Sequence, residues 1–376
     1  MFLGLRELRF ARVRFALMGA VVALIAVLMV LLSGLSVGLV NDGVSGLKKL
    51  PVTSFAFQHG VQTDAAFSRS VVGLDAVNAW RERPGVADAA PFGNTLVNTR
   101  SDRGTEIDLA LFGVEPGSFV APHPARGTGL GGDPHGIVVS QTAIDQGLRI
   151  GDTVTVDRLG TKLVVVGSLP GQHTFGHVDV AYVALPVWQQ INAGAAPGDP
   201  IPEHALHEAT AVAVRAAPGK SIDLAAADRA AGTKSLTLHA SFAASPGYTA
   251  ETSTLTLIQV FLYAIAALVV GAFFTVWTIQ RKQEIAVMRA MGAPTRYLLG
   301  DGLGQAFVLL LISIGAGVAV GLGAGSLVGN GVPFALTGTA VGVAAALLLV
   351  LGLAGAAAAI SRIAAVDPVS ALGANR

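Results

Sequence analysis

The chain of 376 residues contains no cysteine, which excludes disulfide staples and thiolate metal sites. It is also poor in charge. Lys, Arg, Asp and Glu make up 13% of it, about half the roughly 25% of an ordinary soluble domain. A net charge of +1 argues against a nucleic-acid partner, which selects a strongly basic surface. With 52% hydrophobic residues, the bulk of the chain is too apolar to stay disordered. A membrane protein, or a chain with an unusually large apolar core, remains.

The charges are missing in blocks. None occurs in residues 15–40, 252–280 or 302–361. A spanning helix needs about 20 apolar residues. The first two blocks therefore hold one span each. The third holds two, separated by a turn at Asn330-Gly331-Val332-Pro333. The expected order is a basic segment 1–14, a span 15–40, an inserted domain 41–252, a span 253–280, a loop 281–301, spans 303–328 and 335–361, and a tail 362–376.

Of the 25 basic and 24 acidic residues, 15 and 20 fall in 41–251, with all eight histidines. The remaining 10 and 4 lie in the short segments. Lys and Arg in short segments mark the cytoplasmic side, so both termini and the 281–301 loop are expected inside the cell membrane and the insertion outside. The first span exceeds the roughly 7–15 apolar residues of a signal peptide, and no A-x-A site follows, so it is expected to remain as an anchor.

The insertion reads as α+β, with room for two lobes. Ile137–Val139, Thr153–Val156, Leu163–Val166, Val178–Leu185 and Val212–Val214 read as strands, the second and third as a hairpin. Leu74–Glu82 and Ile222–Ala231 read as helices, with a turn or two at Ala143–Leu148, and Gly127–Gly136 as a loop. The second membrane helix is expected to start soon after Pro246-Gly247. At 1.5 Å per residue it outruns a hydrocarbon core of about 30 Å, and the surplus is a stalk. The first helix is given the same extension beyond Val40.

Glycines recur every fourth residue at Gly317, Gly321, Gly325 and Gly329, and at Gly34 and Gly38. Small residues at this spacing let helices approach closely in lipid. No charge lies inside a span, which argues against a proton relay or an ion-coupled pump.

The loop begins RKQEIAVMRAMGAPTRYLL from Arg281. Ile285, Met288 and Gly292 share a helical face beside Val287 and Met291. Gly292 suits a C-terminal cap and Pro294 stops continuation. This segment resembles the coupling helix of the MacB/FtsX-like permease family of ABC transporters, whose pattern Arg281, Glu284, Ile285, Ala286, Val287, Arg289, Ala290, Gly292 and Ala293 match. The topology of one helix, a large outer domain and three more helices is also similar to that family, and so are the tail from Arg362 to Leu372 and the stretch Gly136–Leu185.

The resemblance implies a homodimeric permease working with two copies of a separate ATPase subunit, which binds ATP and Mg, in contact with membrane lipid. Arg281, Glu284, Ile285, Val287, Met288, Arg289 and Gly292 would dock on that subunit. No catalytic residue, resident cofactor or metal, and no fused ATPase domain of the MacB kind, is expected in this chain. Leu32–Leu39 and Phe67–Ser70 resemble the haem-efflux and DevC-like branch, which implies haem as a substrate. The ligand candidates are His59 and Tyr263, against an exposed loop histidine and a packed interfacial aromatic.

His204 and His207, at i and i+3, read as a solvated face, not a metal pair. His173 and His177 read as loop residues. Gly127–Gly132 lacks the strand–helix context of a dinucleotide loop, and Gly219-Lys220-Ser221 lacks the leading glycine of a phosphate loop. Three functions compete: an exporter half, a mechanotransmitter that extracts a lipoprotein or regulates a cell-wall hydrolase, and an anchored enzyme. The enzyme lacks a nucleophile, base or metal constellation.

Overall fold

The computed structural model describes residues 12–280, 283, 287–288, 291–292, 294–328 and 332–364. Its longer helices are α1 (Arg12–Lys48), α2 (Asp75–Arg81), α3 (Leu185–Asn192), α4 (Leu224–Ala231), α5 (Tyr248–Gln280), α6 (Thr295–Ser326) and α7 (Gly338–Ala364). Two compact units result. One joins 1–38 to 252–376, and the other is 39–251. Both unit boundaries fall inside helices, within α1 and at the start of α5.

In the membrane unit, α1, α5, α6 and α7 are each long and apolar enough to span a bilayer. On α1 the buried residues Phe15, Met18, Val22, Ile25 and Met29 alternate spacings of three and four, the seam that lets one helix face seat against neighbours. They pack with Ala266, Val270 and Phe274 of α5, Ala306, Leu309 and Leu310 of α6, and Leu348 and Ala356 of α7. Val13, Leu17, Leu24 and Leu28 are exposed on α1, and an apolar outer face is what lipid requires. At 37 residues, α1 is about 55 Å long.

The inserted unit is built on an eleven-stranded sheet, and a separate two-stranded sheet pairs Val72–Gly73 with Glu208–Ala209. Its strands are β1 (Ser54–Gln58), β2 (Val86–Ser101), β3 (Glu106–Val114), β4 (Arg126–Gly127), β5 (Gly136–Val139), β6 (Thr153–Val156), β7 (Lys162–Ser168), β8 (Thr174–Phe175), β9 (Val178–Ala184), β10 (Ala211–Ala216) and β11 (Thr233–Thr237). The main path runs β11-β1-β10-β2-β3-β9-β5-β7-β4. Strand β6 joins β2 and β7, and β8 joins β9. Pairing is antiparallel except for β9 with β3 and β5 with β7.

Side-chain alternation divides the core. On β3, Ala110 and Phe112 enter an aromatic cluster with Phe55, Phe57, Phe67, Phe92, Phe175 and Tyr182. Ile107, Leu109 and Leu111 enter a second, aliphatic one with Trp188 of α3. Val44 and Leu47, near the C-terminal end of α1, belong to the aromatic cluster. The last turns of that helix are therefore part of the inserted unit's own core.

Candidate functional site

Three regions stand out, of which the sequence pointed to the first. The first is helix packing. A Cβ added at Gly317 would collide with the Ala23 carbonyl oxygen and lie 2.6 Å from the Ala26 Cβ on α1. At Gly321 it would stand 2.8 Å from the Val30 Cβ, and at Gly325 2.8 Å from Leu336 Cδ1. Gly34 and Gly38 face the Phe334 ring and the Pro333 carbonyl, and Ala335 N donates to Gly34 O at 3.0 Å. Gly271 of α5 and Gly355 of α7 form another close approach, 3.2 Å from a Gly271 Cβ to Gly355 O. Gly329 lies outside the described residues.

The second region is the N-terminal end of α1 and the C-terminal end of α5; the expected 281–301 loop is shorter in the structure, because α6 already begins at Thr295. Arg14 Nη1 donates to Gln280 Oε1 at 2.6 Å. Phe15 meets Phe273 and Trp277 edge to face, with centroids 5.5 and 4.7 Å away. A groove of about 260 Å³ runs beside them, lined by Arg14, Met18, Phe273, Trp277 and Gln280 among others. Farther along α5, Tyr263 is half-buried against the membrane core. His59 belongs to the inserted unit, exposed in the turn after β1.

In the loop, Arg281, Glu284, Ile285 and Arg289 lie outside the described residues. Val287 is exposed and Met288 half-buried. Met291 N donates to Val287 O at 3.0 Å. Gly292 has φ +92°, a left-handed conformation that glycine adopts without steric cost.

The third region is where the inserted unit receives its two helices. The β8–β9 hairpin turns through two residues, Gly176 and His177, with φ +57° and +68°. Positive φ at both positions is the tight turn whose twist matches the strands. A histidine there is uncommon. Its ring lies between two carboxylates: Nδ1 donates to Asp42 Oδ2 of α1 at 2.9 Å, and Nε2 to Glu251 Oε1 of α5 at 3.0 Å. Both bonds coexist only when both nitrogens carry protons. Burial lowers the pKa of His177, but the Asp42 hydrogen bond and the Glu251 and Asp42 charges outweigh it, and the net shift is upward. Around it, Gln172 Nε2 donates to Asp42 Oδ1 at 2.9 Å, Gly176 N to Gly43 O at 2.9 Å, and Thr174 N to Ser45 Oγ at 2.9 Å.

His173 sits on the same hairpin and is buried. Its pKa is lowered by burial first and by the Lys49 charge second. His204 and His207 lie in a 3-10 turn, both exposed. No group of three metal-ligating residues converges among the described residues. Gly219 occupies a turn after β10, with φ +71°. Gly127 pairs within β4 and Gly136 within β5, so only the stretch between them is loop.

Sequence reasoning missed the Asp42–His177–Glu251 cluster and the Arg14–Gln280 pair. A signal was present. Asp42 and Glu251 are the first and last charges of the inserted region, and both stand where a membrane helix enters it.

Four apolar helices with glycine-mediated contacts, and a large α/β domain inserted after the first, define a multi-pass membrane protein. Residues 15–230 match the model of the MacB-like periplasmic core domain, and residues 256–368 that of the FtsX-like permease C-terminal region. The chain belongs to the MacB/FtsX-like family of ABC transporter permeases. It is similar to the putative hemin transport system permease protein HrtB of Staphylococcus haemolyticus, at 21% identity over 371 residues and 99% of both chains. HrtB of Staphylococcus epidermidis is 22% identical over 374 residues, again 99% of both. An uncharacterized ABC transporter permease of Mycobacterium tuberculosis is 24% identical over 378 residues and 99% of both. Among solved structures, the extracellular domain of the noncanonic ABC-type transporter YknZ aligns at 12% identity and TM-score 0.35, covering 50% of this chain and 98% of that one.

Proposed function

We propose that the chain is the membrane half of an ABC exporter for an amphipathic molecule of the haem type. It acts as a homodimer on two copies of a separate ATPase, which docks on the 281–301 loop. Both termini face the cytoplasm. The observation that carries the reading is the end-to-end similarity to hemin transport permeases, 99% of both chains.

Local chemistry supports it. Haem is flat and apolar with carboxylates at one edge. The α1–α5 groove offers aromatic walls and one arginine. At about 260 Å³ it is below the roughly 300–1,000 Å³ of a preformed ligand pocket. A haem-sized guest therefore requires α1 and α5 to part, which is the work of an ATP-driven stroke. Tyr263 and His59 are the ligand candidates.

A second reading draws on helix continuity. Helices α1 and α5 each run unbroken across a unit boundary, and a helix is stiff along its axis. Motion at the loop would reach the outer domain without any substrate crossing, as lipoprotein extraction or hydrolase regulation requires.

ATP hydrolysis by the chain co-purified with its ATPase in nanodiscs, titrated with haemin, separates the two. Saturable stimulation is expected for the exporter. A flat response in an otherwise active complex transfers the assignment to motion transmission.

A further inference from the structure

We infer that His177 is the positioning residue of a proton-operated clasp, which holds the C-terminal end of α1 to the N-terminal start of α5 and releases them when its ring loses a proton. The clasp is internal to the inserted unit: Asp42, His177 and Glu251 all fall within residues 39–251. The neighbouring membrane unit resumes at Gly38 on one helix and Thr252 on the other. The inference goes beyond the export reading and does not depend on it.

The geometry singles this residue out. A hairpin turn of this kind favours asparagine or glycine, and a side chain held in the left-handed region persists where its surroundings over-determine it. Here the turn aims one ring at two carboxylates on two different helices, at 2.9 and 3.0 Å. A neutral imidazole has one N–H and satisfies one of them. The imidazolium satisfies both. Deprotonation therefore leaves two carboxylates facing a ring that can donate to only one, and the second tie is lost.

Other charges do not supply a substitute. From α1 the ring meets Asp42, and from α5 Glu251. Lys48 donates to Asn41 Oδ1 at 2.7 Å and Lys49 to the Gln172 carbonyl at 2.7 Å. On the ring's own hairpin, Asp179 is bound by Thr142 and by Gln146 at 2.9 Å, and His173 is turned to the Gly171 carbonyl at 3.3 Å. The Tyr248 ring packs against Phe242.

The raised pKa sets the direction. The clasp is fully formed below the ordinary histidine value of about 6.5 and is lost as pH rises through the higher value of the folded chain. A protein with this device senses the proton concentration on the side of its outer domain.

The test uses the full chain in phosphatidylcholine nanodiscs, without ATPase, so that its outcome is independent of substrate and coupling. Histidine is ¹⁵N-labelled, and His177→Asn identifies the His177 signal. Asparagine tolerates the left-handed turn, so this variant folds with the hairpin intact. The expected result is a His177 midpoint above the ordinary value, with both nitrogens protonated below it. Asp42→Asn and Glu251→Gln should each lower that midpoint.

Because the chain has no cysteine, Leu39→Cys and Ala250→Cys accept two spin labels without background. Their separation should be narrow below the midpoint and broaden above it, and should not respond to pH when His177→Asn is added. A midpoint at or below the ordinary value overturns the clasp. So does a label distance that ignores the titration, or a pH response that survives in His177→Asn.

Discussion

Gly321 of α6 stands against Val30 of α1 with room for no side chain: a Cβ there would be 2.8 Å from the Val30 Cβ. Leucine at this position has to push the helices apart. Overpacking of this kind costs about 1–3 kcal/mol. The same helix supplies its own control, because a Cβ at Gly323 meets nothing within 4 Å. Gly321→Leu is expected to lower the denaturation midpoint in detergent, and Gly323→Leu to leave it unchanged. Equal effects of the two would remove the case for glycine-dependent packing.

In the inserted unit a glycine pair serves a different purpose. Gly93 and Gly113 are cross-strand partners on β2 and β3, and a Cβ on either would run into the Trp188 indole. The flat ring lies on bare backbone. Its Nε1 has no hydrogen-bond partner among the described residues, so its contribution is packing. Trp188→Ala is expected to cost about 3–5 kcal/mol, and Trp188→Phe distinctly less, since the ring survives and an unpaired donor goes. Urea unfolding of the variants measures this. A phenylalanine variant as damaged as the alanine one would mean that the indole N–H matters.

The sequence made some of this legible and hid the rest for physical reasons. Charge-free blocks marked four helices because lipid tolerates no charge at low cost. The hairpin of β6 and β7 was visible in the alternation Thr153–Val156 and its glycine turn. The longer hairpin of β2 and β3 was not. Pro91, Gly93 and Asn94 break up β2, and Ala89–Phe92 are buried on both faces, which erases the alternation that a half-buried strand shows. The glycine stripe could be listed from sequence, but its opposite surface, Ala23, Ala26 and Val30, could not, because nothing local records which helix a residue will meet. The His177 cluster was invisible for the same reason, its three members lying 135 and 74 residues apart.

Stability should carry the mark of that cluster. A histidine whose folded pKa is raised adds stability that is complete below its unfolded value and disappears as pH rises through the folded one. The three side chains are partly exposed, so solvent screens the pairs and each is worth about 1 kcal/mol or less. The gap in thermal midpoint between the wild type and Glu251→Gln is therefore expected to be largest at mildly acidic pH and to close in the alkaline range. A gap that widens with rising pH would contradict the raised pKa.

Coupling to the proposed ATPase is expected, by sequence resemblance, to run through Glu284. Glu284 falls near the start of the segment Glu284–Ala293 that resembles a coupling helix. A carboxylate in the first turn of a helix complements the positive end of its dipole. It also offers a charged contact to a docking subunit. Glu284→Lys reverses the sign at both. The substitution lies between the charge-free spans of the sequence, so the membrane unit should retain its detergent stability. In nanodiscs with the ATPase, basal hydrolysis is expected to persist, and any stimulation by transported substrate to fall at least several-fold. Acidic substitutions on the surface of the proposed ATPase partner, one at a time, should restore part of the stimulation if the contact is direct. Full stimulation in Glu284→Lys alone would remove this residue from the coupling path and leave Arg281 and Arg289 as the charged candidates.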